Sequence, residues 1–270
     1  MRHRTARDLA GARCFLVDMD GTFLIGNHLL PGAAHLIEVL RRKGRRFLFL
    51  TNNSVKNARN YADKITLAGV PVSPDQIFTS CEAMALTLQS RYPGARLFVF
   101  GMPALEDELK AYGFVIDMKS PDVVVLGSNI AFTYDTTWQL CNWVRAGLPY
   151  LATHPDPNCP VDEGLQPDVG SMIAFVKAST GRDPDLIVGK PNKTYAETAA
   201  RKIGLTIPEM VLIGDRLPTD IALGYTSGIT TILVLSGETD ARELEVSPHQ
   251  PDFVFDGIGQ VADWLDQRAS

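Results

Sequence analysis

Short apolar segments alternate along the whole chain with longer segments in which apolar residues recur at helical spacing. The short segments, for example 15–17, 47–50 and 211–213, have the aliphatic and aromatic composition of buried β-strands. The longer segments have one apolar and one polar face, as expected of helices that pack on a sheet. This alternation is typical of a largely parallel sheet covered by helices, so we predict an α/β protein.

The N-terminal part of the chain has clear signals for the ends of its elements. Pro31 is predicted to occupy the first position of a helix that Gly44 closes behind three basic residues. The small polar side chains of 51–54 are suited to capping the helix that follows them. The predicted elements are, in order, a strand ending at Asp18, a hairpin over 23–30 that turns at Gly26–Asn27, the helix from Pro31, a strand over 47–50 and a helix continuing to about Gly69.

A second set of elements is predicted from Thr79, where Glu82 completes a capping box. The strands of this set are predicted at 96–100, 123–126 and 149–153, and the helices at 103–112, 134–146 and 170–180. Residues 153–160 contain three prolines and are predicted to form a stiff loop. The C-terminal part predicts strands at 185–188, 210–213, 231–235 and 253–255, with helices at 194–203 and 221–225 and an amphipathic helix at the end.

Composition bounds the class of protein. The 270 residues, 45% hydrophobic and 21% charged, suffice for two modest cores. The formal net charge of −5 and the pI near 5.5 argue against a general nucleic-acid binder. The four cysteines show no C-x-x-C spacing, which disfavours a zinc site or a redox pair. No segment approaches the ~20 apolar residues of a membrane span, and the basic N-terminus lacks the core of a signal peptide, so we expect a cytoplasmic protein with no membrane partner.

Two aspartates separated by one residue, Asp18 and Asp20, follow the first strand. In a strand, residues i and i+2 face the same side, which would bring both carboxylates to one small volume. Such a pair needs a counter-charge, and Mg²⁺ suits oxygen-rich sites and also neutralises phosphate oxygens. The alternative is an ordinary solvated turn, since Asp and Gly21 are common turn residues.

Polar residues follow four of the predicted strands: Asp18 and Asp20, then Thr51 and Asn52, then Lys190, and finally Asp215 with Asp220. Ligands of open α/β sheets bind at the carboxyl ends of the strands, so we expect these side chains to converge. The carboxylates favour a hard cation and Lys190 supplies a point charge for an anionic substrate. Thr51 and the adjacent backbone amides are suited to phosphate oxygens.

Each of these residues also has a structural alternative. For Lys190 the alternative is a surface lysine before a helix, and for Thr51 it is a plain N-cap, a role that is compatible with binding phosphate. Asp220 precedes a predicted helix, whose dipole stabilises a carboxylate without any metal. A nucleotide-binding Rossmann protein is disfavoured because no G-x-G-x-x-G is present. The combination of complementary groups favours a phosphate site.

Four segments, DMDGT at 18–22, TNN at 51–53, GKP at 189–191 and GDRLPTD at 214–220, together resemble the haloacid dehalogenase-like phosphatases. The insertion between TNN and GKP resembles the α/β cap of the branch that contains 4-nitrophenylphosphatase-like, pyridoxal-phosphate and sugar-phosphate phosphatases. The resemblance implies a Rossmann-like core over 1–78 and 186–270, with an inserted cap over 79–185. The second aspartate of DMDGT, absent from the dehalogenases of this family, favours phosphate chemistry. Pro218 departs from the usual pattern without removing a ligand.

The resemblance also implies a role for each motif residue. Asp18 would take the phosphoryl group as an aspartyl phosphate, and Asp20 would act as general acid and then base. Mg²⁺ would be held by the Asp18 side chain, the Asp20 main-chain carbonyl and Asp215, with Asp220 in support. The phosphate would be bound by Thr51, Asn52, Asn53 and Lys190.

The loop 153–160 lies where such relatives keep a substrate-specificity loop, so we predict that Asp156, Asn158 and Cys159 contact the leaving group. A structural role explains each of them as well. A second metal site of His154, Asp156 and Cys159 is disfavoured, because hard and soft ligands would be mixed.

The sequence therefore predicts a Mg²⁺-dependent phosphatase of small phosphorylated metabolites such as sugar phosphates. By resemblance alone, we expect a homodimer formed through the cap. Two other functions stay open: a phosphotransferase that uses the same intermediate, and a non-catalytic ligand-binding or regulatory protein, which would have no evident reason to keep Asp18, Asp20, Lys190 and Asp215 together.

Overall fold

The computed structural model describes residues 9, 11–161 and 164–268. The strands are β1 Cys14–Asp18, β2 Leu24–Ile25, β3 His28–Leu29, β4 Arg46–Thr51, β5 Ile77–Thr79, β6 Arg96–Phe100, β7 Val115–Ile116, β8 Val123–Leu126, β9 Tyr150–Ala152, β10 Asn158–Val161, β11 Gly164–Pro167, β12 Leu186–Ile187, β13 Met210–Gly214, β14 Thr230–Val234 and β15 Phe253–Phe255. The helices are α1 Ala33–Arg42, α2 Ala58–Leu67, α3 Ser80–Arg91, α4 Pro103–Ala111, α5 Tyr134–Arg145, α6 Val169–Thr180, α7 Lys193–Ile203, α8 Ala222–Ser227, α9 Ala241–Val246 and α10 Ile258–Asp266.

The chain divides into two compact units. The first unit comprises the described residues within 1–51, 58–78 and 190–270, and the second comprises those within 52–57 and 79–189. Each unit contains its own largely parallel sheet, so the predicted α/β class is confirmed. The assignment of the units as a catalytic core and a cap stays a prediction. Among the described residues, no helix has the length and apolar character needed to cross a membrane.

The sheet of the first unit has the strand order β15-β14-β13-β1-β4-β5. The central strand β1 is buried along its whole length and pairs in parallel with both β4 and β13. Strands buried on both faces are continuously apolar, which explains why β1 reads as an unbroken apolar segment. Because the pairs are parallel, the carboxyl ends at Asp18, Thr51 and Gly214 lie on the same edge of the sheet. This edge carries the polar motifs.

The second unit has a five-stranded sheet with the order β12-β9-β8-β6-β7. All four neighbouring pairs are parallel. The apolar core lies between this sheet and helices that include α5 and α6, with Phe98, Val124, Leu140 and Val176 fully buried. Strands β10 and β11 form a separate antiparallel hairpin in which Asn158 is opposite Pro167.

Two helix starts differ from their predictions. Helix α1 begins at Ala33 because Pro31 lies in the turn before it, where the Ala33 amide donates to the Leu30 carbonyl at 3.0 Å. Helix α2 begins at Ala58, well after the polar residues expected to cap it. Residues 52–57 form a loop, since the Asn53 side chain accepts from the Val55 amide and other side chains of the loop bond within the second unit.

Other details of local structure depend on residues that are distant in the sequence. Thr79 caps α3 as predicted by accepting from the Glu82 amide at 3.2 Å, and the Glu82 carboxylate also accepts from the Tyr112 hydroxyl at 2.9 Å. The predicted loop 153–160 ends in strand β10, which the prolines concealed. The predicted helix 221–225 is present as α8, and a π-turn over Leu217–Ile221 precedes it. The short strands β5 and β7 and helix α9 had no clear sequence signal.

Candidate active site

Three buried carboxylates meet at the carboxyl edge of the first unit's sheet. Strands β1 and β13 are paired neighbours, so Asp18 at the end of one lies beside Asp215 just past the end of the other. The π-turn that follows brings in Asp220. One carboxylate oxygen of each residue lies within 4.8 Å of the other two, and Asp215 and Asp220 are fully buried. The convergence expected from the sequence is present for these three residues.

Lys190 lies in the same cluster and is 3% exposed. Its ammonium donates to Asp18 Oδ1 and, at 2.7 Å, to Asp220 Oδ1. The lysine is therefore no surface residue. Three carboxylates and one ammonium, all ionised, leave two net negative charges in the cluster. A buried excess of this size favours protonation or a bound cation.

The pKa values of the cluster show the same imbalance. Burial raises the pKa of Asp18 well above its usual range, against the attraction of Lys190, and the negative charges of Asp220 and Asp215 add to that rise. Burial, followed by repulsion from Asp220, raises the pKa of Asp215 to about 6. Burial by itself lowers the pKa of Lys190, but Asp18 and Asp220 outweigh it, so the net pKa is raised and the ammonium stays charged.

Asp215 is held in place from both sides. The Thr22 hydroxyl donates to Oδ1 at 2.8 Å, and the Glu238 amide donates to Oδ2 at 2.8 Å. A Cβ at Gly21 would lie 2.4 Å from Asp215 Oδ2, and one at Gly237 would lie 1.9 Å from it, so both backbones pass where a side chain has no room. Sequence reasoning missed Thr22 as a partner, although it stands inside the DMDGT segment.

Asp20 does not join the buried carboxylates. Strand β1 ends at Asp18, so the two-residue alternation that would have aligned the two side chains does not reach Asp20. The Asp20 side chain is 61% exposed, and its Oδ1 lies 3.8 Å from the Lys64 ammonium. The expectation that both carboxylates share one small volume is therefore wrong. An exposed carboxyl is suited to exchanging protons with an alcohol or water.

The predicted phosphate-binding residues fall into two groups. Thr51 is the last residue of β4 in the first unit and is 5% exposed, and the Tyr195 hydroxyl lies against its backbone. Asn52 and Asn53 belong to the second unit. The side-chain amide of Asn52 donates to Asp156 Oδ2 at 3.0 Å, and that of Asn53 lies 3.7 Å from Cys159 Sγ. These amides thus contact the predicted specificity loop.

The second unit contains a buried polar cluster around His154, whose side chain is 1% exposed. Its Nε2 lies 3.3 Å from Ser128 Oγ and its Nδ1 lies 3.4 Å from Asp156 Oδ2, which is the order of a serine-hydrolase triad. The Ser128 hydroxyl, however, donates to Asp168 at 2.6 Å and is 3% exposed. Because Ser128 bonds to Asp168 and His154 Nδ1 has no hydrogen-bond partner among the described residues, we interpret the cluster as structural and not as a nucleophilic triad.

Two family profiles match the chain. One, described as haloacid dehalogenase-like hydrolase, matches residues 15–115. The other, described as HAD-hydrolase-like, matches residues 187–261. The dihydroxyacetone phosphatase of Corynebacterium glutamicum (strain R) is 32% identical over 252 residues, which cover 93% of this chain and 91% of that protein.

Solved phosphatase structures have the same fold. The crystal structure of 4-nitrophenylphosphatase from Thermotoga maritima matches with a TM-score of 0.93 and 44% identity, over 96% of this chain and 99% of that chain. The glycerol phosphate phosphatase of Mycobacterium tuberculosis, solved in complex with calcium, matches with a TM-score of 0.85 and 29% identity, over 92% of this chain and 74% of that chain.

Proposed function

We propose that this chain, which belongs to the haloacid dehalogenase-like hydrolases and is a phosphatase, hydrolyses small phosphomonoesters such as sugar phosphates through an aspartyl phosphate on Asp18. The family resemblance inferred from the sequence motifs is confirmed. The observation that best supports the detailed proposal is the buried cluster of Asp18, Asp215 and Asp220 around Lys190. Such a cluster combines a nucleophile, an anion-binding charge and a cation site.

The residues present fit a divalent cation. Asp18 and Asp215 offer hard oxygen ligands, as Mg²⁺ prefers, and the main-chain carbonyl of Asp20 would complete the set. Asp220 would act in support, because Oδ1 pairs with Lys190 and Oδ2 accepts from the Arg216 amide at 3.2 Å. When bound, Mg²⁺ would neutralise charge on the phosphate oxygens and on the cluster.

The side chains would divide the reaction into two steps. In the first, a carboxylate oxygen of Asp18 attacks phosphorus, the bond from phosphorus to the ester oxygen breaks, and Asp20 gives its proton to the departing alcohol. In the second, Asp20 takes a proton from water as the water oxygen attacks phosphorus, which releases phosphate and regenerates Asp18. Lys190 and Thr51 would hold the phosphoryl oxygens through both steps, and this positioning and charge stabilisation is what phosphoryl transfer requires.

A screen of phosphate release tests the proposal. The relatives named above act, by their names, on dihydroxyacetone phosphate, 4-nitrophenyl phosphate and glycerol phosphate. We expect turnover of these small esters to exceed that of a nucleoside monophosphate, pyridoxal phosphate and phosphoglycolate. Absence of phosphate release from every ester would contradict the proposal. Transfer to added glycerol that exceeds phosphate release would identify a phosphotransferase instead.

The leaving group would be selected by the loop that carries Asp156, Asn158 and Cys159. Asp156 is 8% exposed and Cys159 is partly exposed, and each lies near the side-chain amide of Asn52 or Asn53. Those contacts hold the loop to the segment that directly follows Thr51. Substitutions here should therefore change the preference among esters more than the rate for 4-nitrophenyl phosphate.

Removing divalent metal is expected to stop turnover, and Mg²⁺ is expected to restore it. Without a cation, the cluster carries two net negative charges and repels the phosphate dianion. The measurement is phosphate release after dialysis against a chelator, followed by titration with Mg²⁺. A rise in melting temperature with Mg²⁺ provides a second readout that does not depend on activity. Full turnover by metal-free protein would exclude the cation role.

The substitution Gly237→Ala is expected to raise the Mg²⁺ concentration for half-maximal activity roughly 10- to 100-fold, the range found when groups that orient metal ligands are changed. The new Cβ would lie 1.9 Å from Asp215 Oδ2, so the carboxylate must move. Gly257→Ala is the matched control, because its Cβ would meet nothing nearer than Ser236 Cβ at 4.0 Å and its φ is −169°. An unchanged Mg²⁺ titration in Gly237→Ala would argue against Asp215 as a ligand.

A further inference from the structure

The hydroxyl of Tyr195 lies against the carboxyl ends of two strands in the first unit. The Thr51 amide donates to it at 3.2 Å. The hydroxyl in turn lies 2.8 Å from the Thr51 carbonyl oxygen and 2.9 Å from the Phe78 carbonyl oxygen. Tyr195 and Phe78 are fully buried, and their ring centroids are 5.1 Å apart. One side chain of α7 thus contacts both polar groups of the Thr51 backbone.

The chemistry of a phenol suits this position. A tyrosine hydroxyl has one proton to donate and lone pairs to accept, so it satisfies the Thr51 amide while sharing its proton between the two carbonyls. In a buried place, the loss of such a partner removes three hydrogen bonds to the backbone of Thr51 and Phe78 at once, which is costly. The hydroxyl therefore fixes the backbone of Thr51 more firmly than ring packing alone.

Tyr195 is also linked to Lys190 through a short, well-anchored segment. The Asn192 side chain caps α7 by accepting from the Thr194 amide at 3.0 Å. The Thr226 hydroxyl donates to the Pro191 carbonyl at 2.7 Å. The segment 190–195 therefore supplies the Lys190 ammonium at one end and the hydroxyl that fixes Thr51 at the other.

We propose that Tyr195 is a positioning residue that sets the placement of Thr51 relative to Lys190, so that both groups reach one phosphoryl group. The proposal rests on the proposed function, in which Thr51 and Lys190 bind the phosphoryl oxygens. It deepens that function by assigning an indirect role to a residue that does not touch the substrate. Phosphate transfer is sensitive to positioning, since a misplacement of about 1 Å costs on the order of 100-fold in rate.

The test is Tyr195→Phe, which keeps the ring and removes the hydroxyl. We expect kcat to fall roughly 10- to 100-fold. We also expect inhibition by inorganic phosphate to weaken by the same factor whichever ester is the substrate. The reason is that the phosphoryl site is altered and the leaving-group site is not. A residue that only stabilised the fold would lower the melting temperature without changing phosphate inhibition.

Tyr150→Phe is the matched control. Tyr150 is fully buried in the second unit, and its hydroxyl has no hydrogen-bond partner among the described residues, so its loss should change neither kcat nor phosphate inhibition. Replacing Tyr195 by 4-aminophenylalanine, which restores a donor on the same ring position, should recover most of the phosphate inhibition. Wild-type kcat and phosphate inhibition in Tyr195→Phe would overturn the proposal. Inactivity of the wild-type protein toward all phosphomonoesters would instead overturn the proposed function.

Discussion

Replacing Asp18 by Asn is expected to reduce phosphate release by at least about 10⁴-fold, in line with the loss caused by removing a nucleophile in other enzymes. An amide of the same shape cannot form the acyl phosphate that the proposed first step requires. The loss should be equal for all esters, because the nucleophile is common to them. The measurement is single-turnover phosphate release, with the variant checked by mass spectrometry for deamidation back to Asp.

The fold of Asp18→Asn should remain intact. Asp18 is one of three buried carboxylates, and burial together with Asp220 and Asp215 raises its pKa, so a neutral side chain relieves repulsion while Lys190 keeps Asp220 as a partner. We expect a melting temperature equal to or above that of the wild type in the absence of metal. Wild-type turnover in a variant free of deamidation would rule out Asp18 as the nucleophile.

Asp20→Asn provides the contrasting variant. Asp20 is exposed and would act by proton transfer, a contribution of about 10²- to 10⁴-fold. Its effect on the first step, measured as release of the alcohol in a single turnover, should depend on the leaving group: small for 4-nitrophenyl phosphate, whose leaving group needs no proton, and large for an alkyl phosphate. Loss of the base that activates water should slow the second step by the same factor for every ester. Comparing the two variants distinguishes the role of Asp18 as nucleophile from the role of Asp20 in proton transfer.

Local sequence signals predicted the strand ends and therefore the convergence of Asp18 and Asp215. Lys190 instead follows β12, a strand of the second unit's sheet, so strand pairing in the first unit does not explain its position. The prediction succeeded because each strand is a buried apolar segment that ends in a polar motif, and parallel strands bring those ends to one edge. The position of Asp20 was not predictable in the same way. Whether alternation continues past Asp18 depends on where the ladder with β4 stops, which the residues themselves do not show.

The hydrogen-bond partners that fix the side chains of the site also could not be predicted from the sequence. Thr22 bonds to a residue 193 positions away, and Tyr195 bonds to Thr51 at a separation of 144 positions. Neither partner belongs to a spacing pattern, because both contacts depend on how strands are ordered in the sheet. The same holds for Asn52 and Asn53, whose side chains looked like helix caps but contact the loop at 156–159.

Replacing Lys190 by Met is expected to remove activity and, unlike Asp18→Asn, to destabilise the metal-free protein. Lys190 is the cation paired with both Asp18 and Asp220 in the buried cluster. Removing one partner of a buried ion pair costs about 3–5 kcal/mol in the free energy of unfolding, because the remaining charges stay buried. The measurement is chemical unfolding in a chelator together with phosphate release in excess Mg²⁺.

The pH dependence follows from the raised pKa values of the carboxylates. A carboxyl whose pKa is higher in the folded state binds more protons when folded, so its destabilising effect grows as pH rises from the unfolded value of about 4 toward the folded one, which for Asp215 is about 6. The destabilisation of Lys190→Met should therefore be smaller near pH 5 than near pH 8. A uniform loss across this range would contradict an electrostatic cause.

Two further variants separate the stabilising role of Lys190 from its role in binding phosphate. Lys193→Met removes the same charge from an ammonium whose side chain is 65% exposed, and should change neither stability nor activity. Adding Asp220→Asn to Lys190→Met removes one of the buried carboxylates that the lysine neutralised. The double variant should recover part of the lost stability but none of the activity. Recovery of activity in that double variant would mean that Lys190 only offsets Asp220, and the lysine would then have no part in holding the phosphoryl group.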